Sequence, residues 1–320
     1  MAGRTTDAFS RLCARACPVC GSRDESEVFA ESNVEAERLG DSAFSSRKEP
    51  ELMRHRLVAC PVCDTVYASP APEARALVEE YERASFDSGE EARSASRTYA
   101  RLVQALAPRL LRGGALDIGT GDGAFLEQLL AIGFDDVVGV EPSTAPIVAA
   151  AEPVRGLIRQ GAFRASDFEP GRFSLITAFQ TLEHVNDPLE LCRGAVSLLA
   201  PGGALLLVCH DRRALVNRLM GTRSPINDIE HLQLFSPRSL TQVLGRAGLG
   251  VAGLARVRND YPLRYWLRLA PVPARARWIA AADRLGLGAV QVSLRVGNLA
   301  AVGFVQAGGG PCGGPRTVRR

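Results

Sequence analysis

The stretch Leu116-Asp117-Ile118-Gly119-Thr120-Gly121-Asp122-Gly123-Ala124-Phe125 leaves this chain few architectures. An apolar run ends in an acidic residue, glycines follow at every second position, and an amphipathic helical pattern begins at once. Glycine turns with φ > 0 and lets backbone approach a ligand closely. A strand's carboxyl end meeting a helix's amino end across such a bend is where open α/β sheets hold their ligands. The spacing predicts an open α/β sheet with a nucleotide-like pocket near the middle of the chain.

Two ligands compete for that bend. Gly119-x-Gly121-x-x-Ala124 satisfies the dinucleotide fingerprint, in which a pyrophosphate rests on a helix N-terminus. Read as Asp-x-Gly-x-Gly-x-Gly, the same residues fit S-adenosylmethionine. Asp117 separates the two readings. A carboxylate repels a pyrophosphate but attracts cationic amino and sulfonium groups, by on the order of a few kcal/mol at contact and intermediate dielectric. The next strand pattern, Val137-Val138-Gly139-Val140-Glu141, also ends in an acid. Glu141 there can accept from both hydroxyls of a ribose, a need both ligands share. It supports an adenosine ligand without choosing between them, and a solvated loop acid is the alternative.

Downstream, Phe173 to Phe179 reads as a fourth strand, and Asp187-Pro188 as a helix start with Asp as N-cap and Pro at the first helical position. Pro201-Gly202-Gly203 then turns the chain into Ala204-Leu205-Leu206-Leu207-Val208, an apolar run that suits a strand covered on both faces. In this order and spacing, LDIGTGDGAF, GVEPS, FSLITAFQTLEHVNDP and LLAPGGALLLV resemble a class I S-adenosylmethionine-dependent methyltransferase of the small-molecule, ubiquinone-methyltransferase-like group, over about Tyr99 to Ala307. The resemblance implies an α/β fold with a Rossmann-like, seven-stranded, mostly parallel sheet whose last two strands pair antiparallel. It implies that Asp117, Gly119, Gly121 and Gly123 surround the methionine part of the donor and that Glu141 holds its ribose. Gln180 and Thr181 would line the amino-acid end. Gly161-Ala162-Phe163 would meet adenine, with Phe163 as the ring contact, although the acid often found there is missing and Asp167 comes too late to replace it.

The cysteines add a second signal. Cys17-Pro18-Val19-Cys20 and Cys60-Pro61-Val62-Cys63 are twin C-x-x-C knuckles, the ligand pattern of a tetrahedral structural zinc. The spacer exceeds the roughly 15–20 residues usual in such ribbons, which a hairpin or helix can fill. A redox dithiol would need one knuckle and leave its twin unexplained. Cys13 reads as a bystander, Cys192 and Cys209 as core residues, and Cys312 has no evident role.

These signals divide the chain into a zinc-ribbon-like module over 1–70, a helical linker over 71–111 and a methyltransferase domain over 112–307, with a disordered glycine-rich tail at 308–320. Between the expected sixth strand, Leu249 to Ala255, and seventh, Asn298 to Val305, lie about forty residues with both tryptophans and several arginines. This 259–296 insert reads as a lid over the acceptor. A basic amphipathic surface touching a membrane or lipid-linked substrate through 259–290, and a packing or dimer element, are the alternatives. The N-terminus lacks the apolar core of a secretory signal, and no apolar run approaches the roughly 18 residues of a membrane span, which points to the cytoplasm.

A sulfonium is already a good leaving group, so in-line transfer to an acceptor hydroxyl or acidic carbon needs alignment and a base. His231, in Ile229-Glu230-His231-Leu232-Gln233, and His184, just after the fourth strand, are the candidates, with His210 third. For each the bland reading is a polar residue shaping a loop. The expected partner is a small-molecule, sugar or lipid-linked acceptor. An RNA methyltransferase fits less well, because the net charge is only +3 and residues 1–70 lack a basic, aromatic stripe. A non-catalytic donor-binding protein and a dehydrogenase are the remaining readings.

Overall fold

A computed structural model of the chain describes residues 12–24, 27–35, 44, 52–86, 89–110, 113–270 and 274–306. The glycine-rich tail at 308–320, with Cys312, and the first eleven residues lie outside them. The N-terminal part is built from short strands, β1 (Leu12–Cys13), β2 (Glu27–Ala30), β3 (Leu57–Ala59), β4 (Val66–Ala68) and β5 (Ala71–Pro72). β2, β3 and β4 form an antiparallel meander, and β1 pairs with β5. Each knuckle closes in the same way. Gly21 N–H bonds to Cys17 O at 2.8 Å and Asp64 N–H to Cys60 O at 3.1 Å, with both donors in the left-handed region, φ +73° and +66°. The twin turns bring the thiols together at the module's edge.

The polar stretch that follows forms α1 (Ala74–Arg83) and α2 (Gly89–Leu106). The domain proper then alternates strand and helix. It runs β6 (Gly114–Ile118), α3 (Ala124–Ile132), β7 (Val137–Glu141), α4 (Thr144–Ala149), α5 (Glu152–Arg155), β8 (Ile158–Gln160) and β9 (Phe173–Phe179). It continues with α6 (Pro188–Ser197), β10 (Leu199–His210), α7 (Leu215–Met220), β11 (Gln233–Leu234), α8 (Pro237–Arg246), β12 (Gly250–Pro262), α9 (Leu263–Leu269), α10 (Arg275–Arg284) and β13 (Gln291–Phe304). Local chemistry sets several boundaries. Asp187 caps α6 by accepting from Glu190 N–H at 2.9 Å, with Pro188 at the first helical position. Ser236 and Ser239 cap α8 reciprocally.

The seven-stranded sheet has the order β12-β13-β10-β9-β6-β7-β8. β10, β9, β6, β7 and β8 run parallel, and β13 is antiparallel to both β10 and β12. One face packs Leu116, Ile118 and Ile176 on α6 and α8, with Cys192 and Cys209 in that core. The other packs Ala115, Leu175 and Leu206 on α2 and α3. Strand order reverses between β6 and β9, which opens a crevice at their carboxyl ends, the site such sheets use for ligands.

Two features differ from the sequence reading. The small N-terminal sheet takes a strand from the domain, since β11 pairs antiparallel with β4 through Tyr67 and Val66. The β12–β13 ribbon also runs longer than the apolar pattern suggested, so the connecting segment is 263–290, carrying α9 and α10. Trp266 is buried there and donates Nε1–H to Val292 O at 2.8 Å, whereas Trp278 is 60% exposed. No helix among the described residues is long and apolar enough to cross a membrane.

Candidate active site

A cavity of about 1030 Å³ occupies the crevice. One end is the glycine bend. Gly119 has φ +78° and donates its N–H to Val140 O at 2.9 Å. A Cβ there would meet Thr181 Oγ1 at 2.5 Å, and that hydroxyl is tied to Ile118 O at 2.9 Å. Gly121, φ +59°, has no atom within 4 Å of a built Cβ and borders the cavity directly. Its N–H donates to Glu141 Oε2 at 2.8 Å, while Glu141 Oε1 accepts from Ser143 N–H at 2.9 Å. Burial holds the Glu141 carboxyl above its ordinary range against these two bonds. The carboxylate is thus fixed at the cavity wall with acceptor capacity left over.

Phe163 and Gln180 also line the cavity. Gln180 has φ +52°, a strained value for a side chain of this size. Both amide atoms of its side chain are buried with no hydrogen-bond partner within bonding geometry among the described residues. A polar ligand group in the cavity would satisfy them.

Asp117 and Gly123 are placed elsewhere. Asp117 was expected beside the donor's cationic groups, but it is not part of the cavity wall. Its Oδ1 accepts from Thr177 Oγ1 at 2.6 Å across the β6–β9 pair, and burial lifts its carboxyl to about 6. Strand alternation turns it onto the same face as Ala115, under the bend. Gly123, φ +73°, is wedged against Ile158 and Val154, where a Cβ would approach both at 3.1 Å. These two residues shape the bend from behind.

The cavity wall also gathers three histidines, His184 and His231 from loops and His210 from the end of β10. The rings of His184 and His231 lie 4.8 Å apart and those of His210 and His231 5.1 Å apart, all edge to face. His231 Nδ1 is 2.9 Å from Ile226 O. A carbonyl only accepts, so Nδ1 is the donor of this bond. His184 Nδ1 bonds to Tyr81 Oη at 2.8 Å, and His210 Nδ1 to Asn298 Oδ1 at 3.0 Å. Burial, then the neighbouring His231, draws His210 down to about 3. Glu230 completes a group with His184 and His231 whose ligand atoms all lie within 4.8 Å of one another.

Sequence reasoning passed over two wall residues, Tyr81 and Tyr99, which come from the helices read as a linker, whereas Tyr261 and Tyr265 come from the insert read as a lid. Tyr99 packs on Phe179 with ring centroids 4.1 Å apart, and Ser143 Oγ donates to Tyr81 O at 2.6 Å. A tyrosine on a polar amphipathic helix was the one available signal.

Beneath the histidines, Glu183 is fully buried and accepts His210 N–H at 2.6 Å. Burial lifts its carboxyl to about 7. An acid whose folded pKa exceeds its unfolded value of about 4.3 favours the fold only while protonated, so its contribution is lost as pH rises through about 7. Glu183→Gln is expected to raise Tm at pH 8 and to give no gain at pH 4. Equal shifts at the two pH values would contradict this linkage.

The four knuckle thiols form a separate centre. Cys17 and Cys63 sulfurs lie 3.3 Å apart, Cys20 and Cys60 sulfurs 3.5 Å, and all four within 4.8 Å. Cys17 donating to Cys63 draws the latter's thiol down to about 5 and raises its own.

The profile of the methyltransferase-domain family matches residues 90–252, just over half of the chain. The chain belongs to the methyltransferase-domain family. The dehydrogenase reading falls with this match. Ubiquinone biosynthesis O-methyltransferases of Aliivibrio fischeri and Methylococcus capsulatus are each 27% identical to it, over 154 and 153 residues. The matches cover 43% and 44% of this methyltransferase and 66% and 64% of those proteins, so it spans just under two thirds of their length. Among solved structures, an S-adenosylmethionine-dependent methyltransferase of Thermotoga maritima aligns at TM-score 0.45 and 20% identity, covering 72% of this chain and 97% of that one. A putative methyltransferase of Bacillus halodurans aligns at 0.47 and 17%, covering 65% and 98%.

Proposed function

We propose that this methyltransferase transfers the methyl group of S-adenosylmethionine in line to a hydroxyl of a small, largely apolar acceptor, with His231 as general base and His184 beside it. The observation that carries the reading is one cavity lined both by the Gly121–Glu141 bend and by His231, whose Nδ1 is held by Ile226 O. In this assignment Gly119 and Gly121 bring backbone against the donor, and Glu141 takes its ribose hydroxyls. Phe163 packs on adenine, and Gln180 binds the amino-acid end. Asp117 and Gly123 hold the bend in shape. The base removes the hydroxyl proton as the oxygen attacks the methyl carbon, and adenosylhomocysteine leaves. Tight walls supply alignment and exclude water.

The 259–296 insert we assign as a lid of the acceptor end, because Tyr261, Tyr265, Trp266 and Leu294 line it. Cys17, Cys20, Cys60 and Cys63 we assign to one structural zinc, a set of four thiolates at tetrahedral spacing. Methyl-labelled S-adenosylmethionine offered with phenols, quinone precursors, sugar nucleotides or RNA is expected to label a small acceptor, detected by mass. Label on RNA alone, or on nothing while adenosylhomocysteine binds, overturns the reading. Metal analysis should find about one zinc per chain, lost in Cys63→Ser. A metal-free wild-type protein removes the zinc assignment.

A further inference from the structure

Every segment that carries a cavity histidine is bonded to the cysteine module. Arg15, two residues before Cys17, is half-buried, and among the described residues its guanidinium hydrogen bonds all go to neutral oxygens. Nε donates to Ala68 O at 2.9 Å, and Nη1 to Asn186 O at 2.9 Å, in the loop of His184. Nη2 donates to Leu232 O at 2.8 Å and to Gln233 Oε1 at 3.1 Å, next to His231. Gln233 passes the tie on, donating Nε2–H to Val185 O at 2.7 Å and also to Leu182 O. Asp64, the residue after Cys63, accepts from Arg212 Nη1 at 2.7 Å and from Arg213, just beyond His210. Ala68 N–H bonds to Leu232 O at 2.8 Å, and β11 adds to β4. The glycine bend has no such tie among these bonds, so the module grips one end of the cavity.

We infer that Arg15 and Asp64 are positioning residues through which the cysteine module sets the orientation of the three acceptor-side histidines, leaving the donor end independent of it. A fork with fixed geometry is what this job needs. Arg15 joins three chain segments at once, which the single ammonium of a lysine cannot span. These bonds engage four of the five N–H groups of a guanidinium drawn partly out of water, which ties its cost to the contacts it makes. The inference rests on the reading of His184 and His231 as acceptor-side groups.

The test uses the full zinc-bound chain with its histidines labelled with ¹⁵N, and adenosylhomocysteine as the probe of the donor end. In the wild type, ring nitrogen signals should show His231 protonated on Nδ1. In Arg15→Met, Arg15→Lys and Asp64→Asn, adenosylhomocysteine Kd is expected to stay within about threefold, while the ring signals of the tethered loops shift or average. Asp64→Asn should act on His210 and the Arg15 variants on His184 and His231. Unchanged ring signals overturn the inference. So does joint loss of donor binding, zinc and cooperative unfolding in all three variants, which would make the module a general scaffold. If His231→Ala leaves methyl transfer intact, the catalytic reading fails, but the ring signals still decide whether Arg15 sets the loops.

Discussion

His231→Ala is expected to lower kcat by about 10²–10⁴, the usual contribution of a positioned general base, with adenosylhomocysteine Kd unchanged. The size follows from how the ring is held. His231 Nδ1 donates to Ile226 O at 2.9 Å, which fixes the ring's orientation in the cavity wall. His210, edge to face with His231, is drawn down to about 3 by burial and by His231, so it stays neutral near pH 7. His184→Ala should cost less, because its Nδ1 is occupied by Tyr81 Oη at 2.8 Å and its ring acts mainly as a wall for His231. Steady-state kinetics with the acceptor identified by labelling decides the matter. A loss below about tenfold in both variants would mean that alignment alone drives the transfer, and the acidic limb of the wild-type pH profile would then have another owner.

What was legible in the sequence is what short-range chemistry determines. The glycine bend, the acid ending β7, the Asp187-Pro188 helix start and the twin knuckles are each written within ten residues, and each appears where its pattern places it. What local pattern left unstated has the opposite property. Asp117 was set beside the donor on the attraction of a carboxylate to cationic groups, while the partner of its side chain is Thr177, sixty residues away and paired across the sheet. The short strand at Gln233–Leu234 carries no strand pattern of its own and exists because β4 offers it an edge. Tyr81 and Tyr99 sit on polar helices, and which polar face meets a cavity is settled only by packing. The same holds for Arg15, a lone arginine in the sequence whose meaning lies in oxygens drawn from three distant segments.

The donor end allows a second large effect, in which two neighbouring glycines are expected to behave differently. Gly121→Ala should weaken adenosylhomocysteine binding by about 100-fold, close to 2.7 kcal/mol, while lowering Tm by only a few degrees. At φ +59° an alanine costs roughly 1–2 kcal/mol of backbone strain, and its Cβ meets no protein atom within 4 Å. The methyl group projects into the space the ligand needs, beside the N–H that fixes Glu141. Gly119→Ala differs, because its Cβ would stand 2.5 Å from Thr181 Oγ1 and displace the bond that ties this hydroxyl to Ile118 O. Fold and donor site should fail together there, with a much larger drop in Tm. Calorimetric titration with adenosylhomocysteine and thermal unfolding of the two variants test the contrast. If Gly121→Ala binds within fivefold of the wild type, the donor does not pass over this bend, and the assignment of Glu141 to its ribose falls with it.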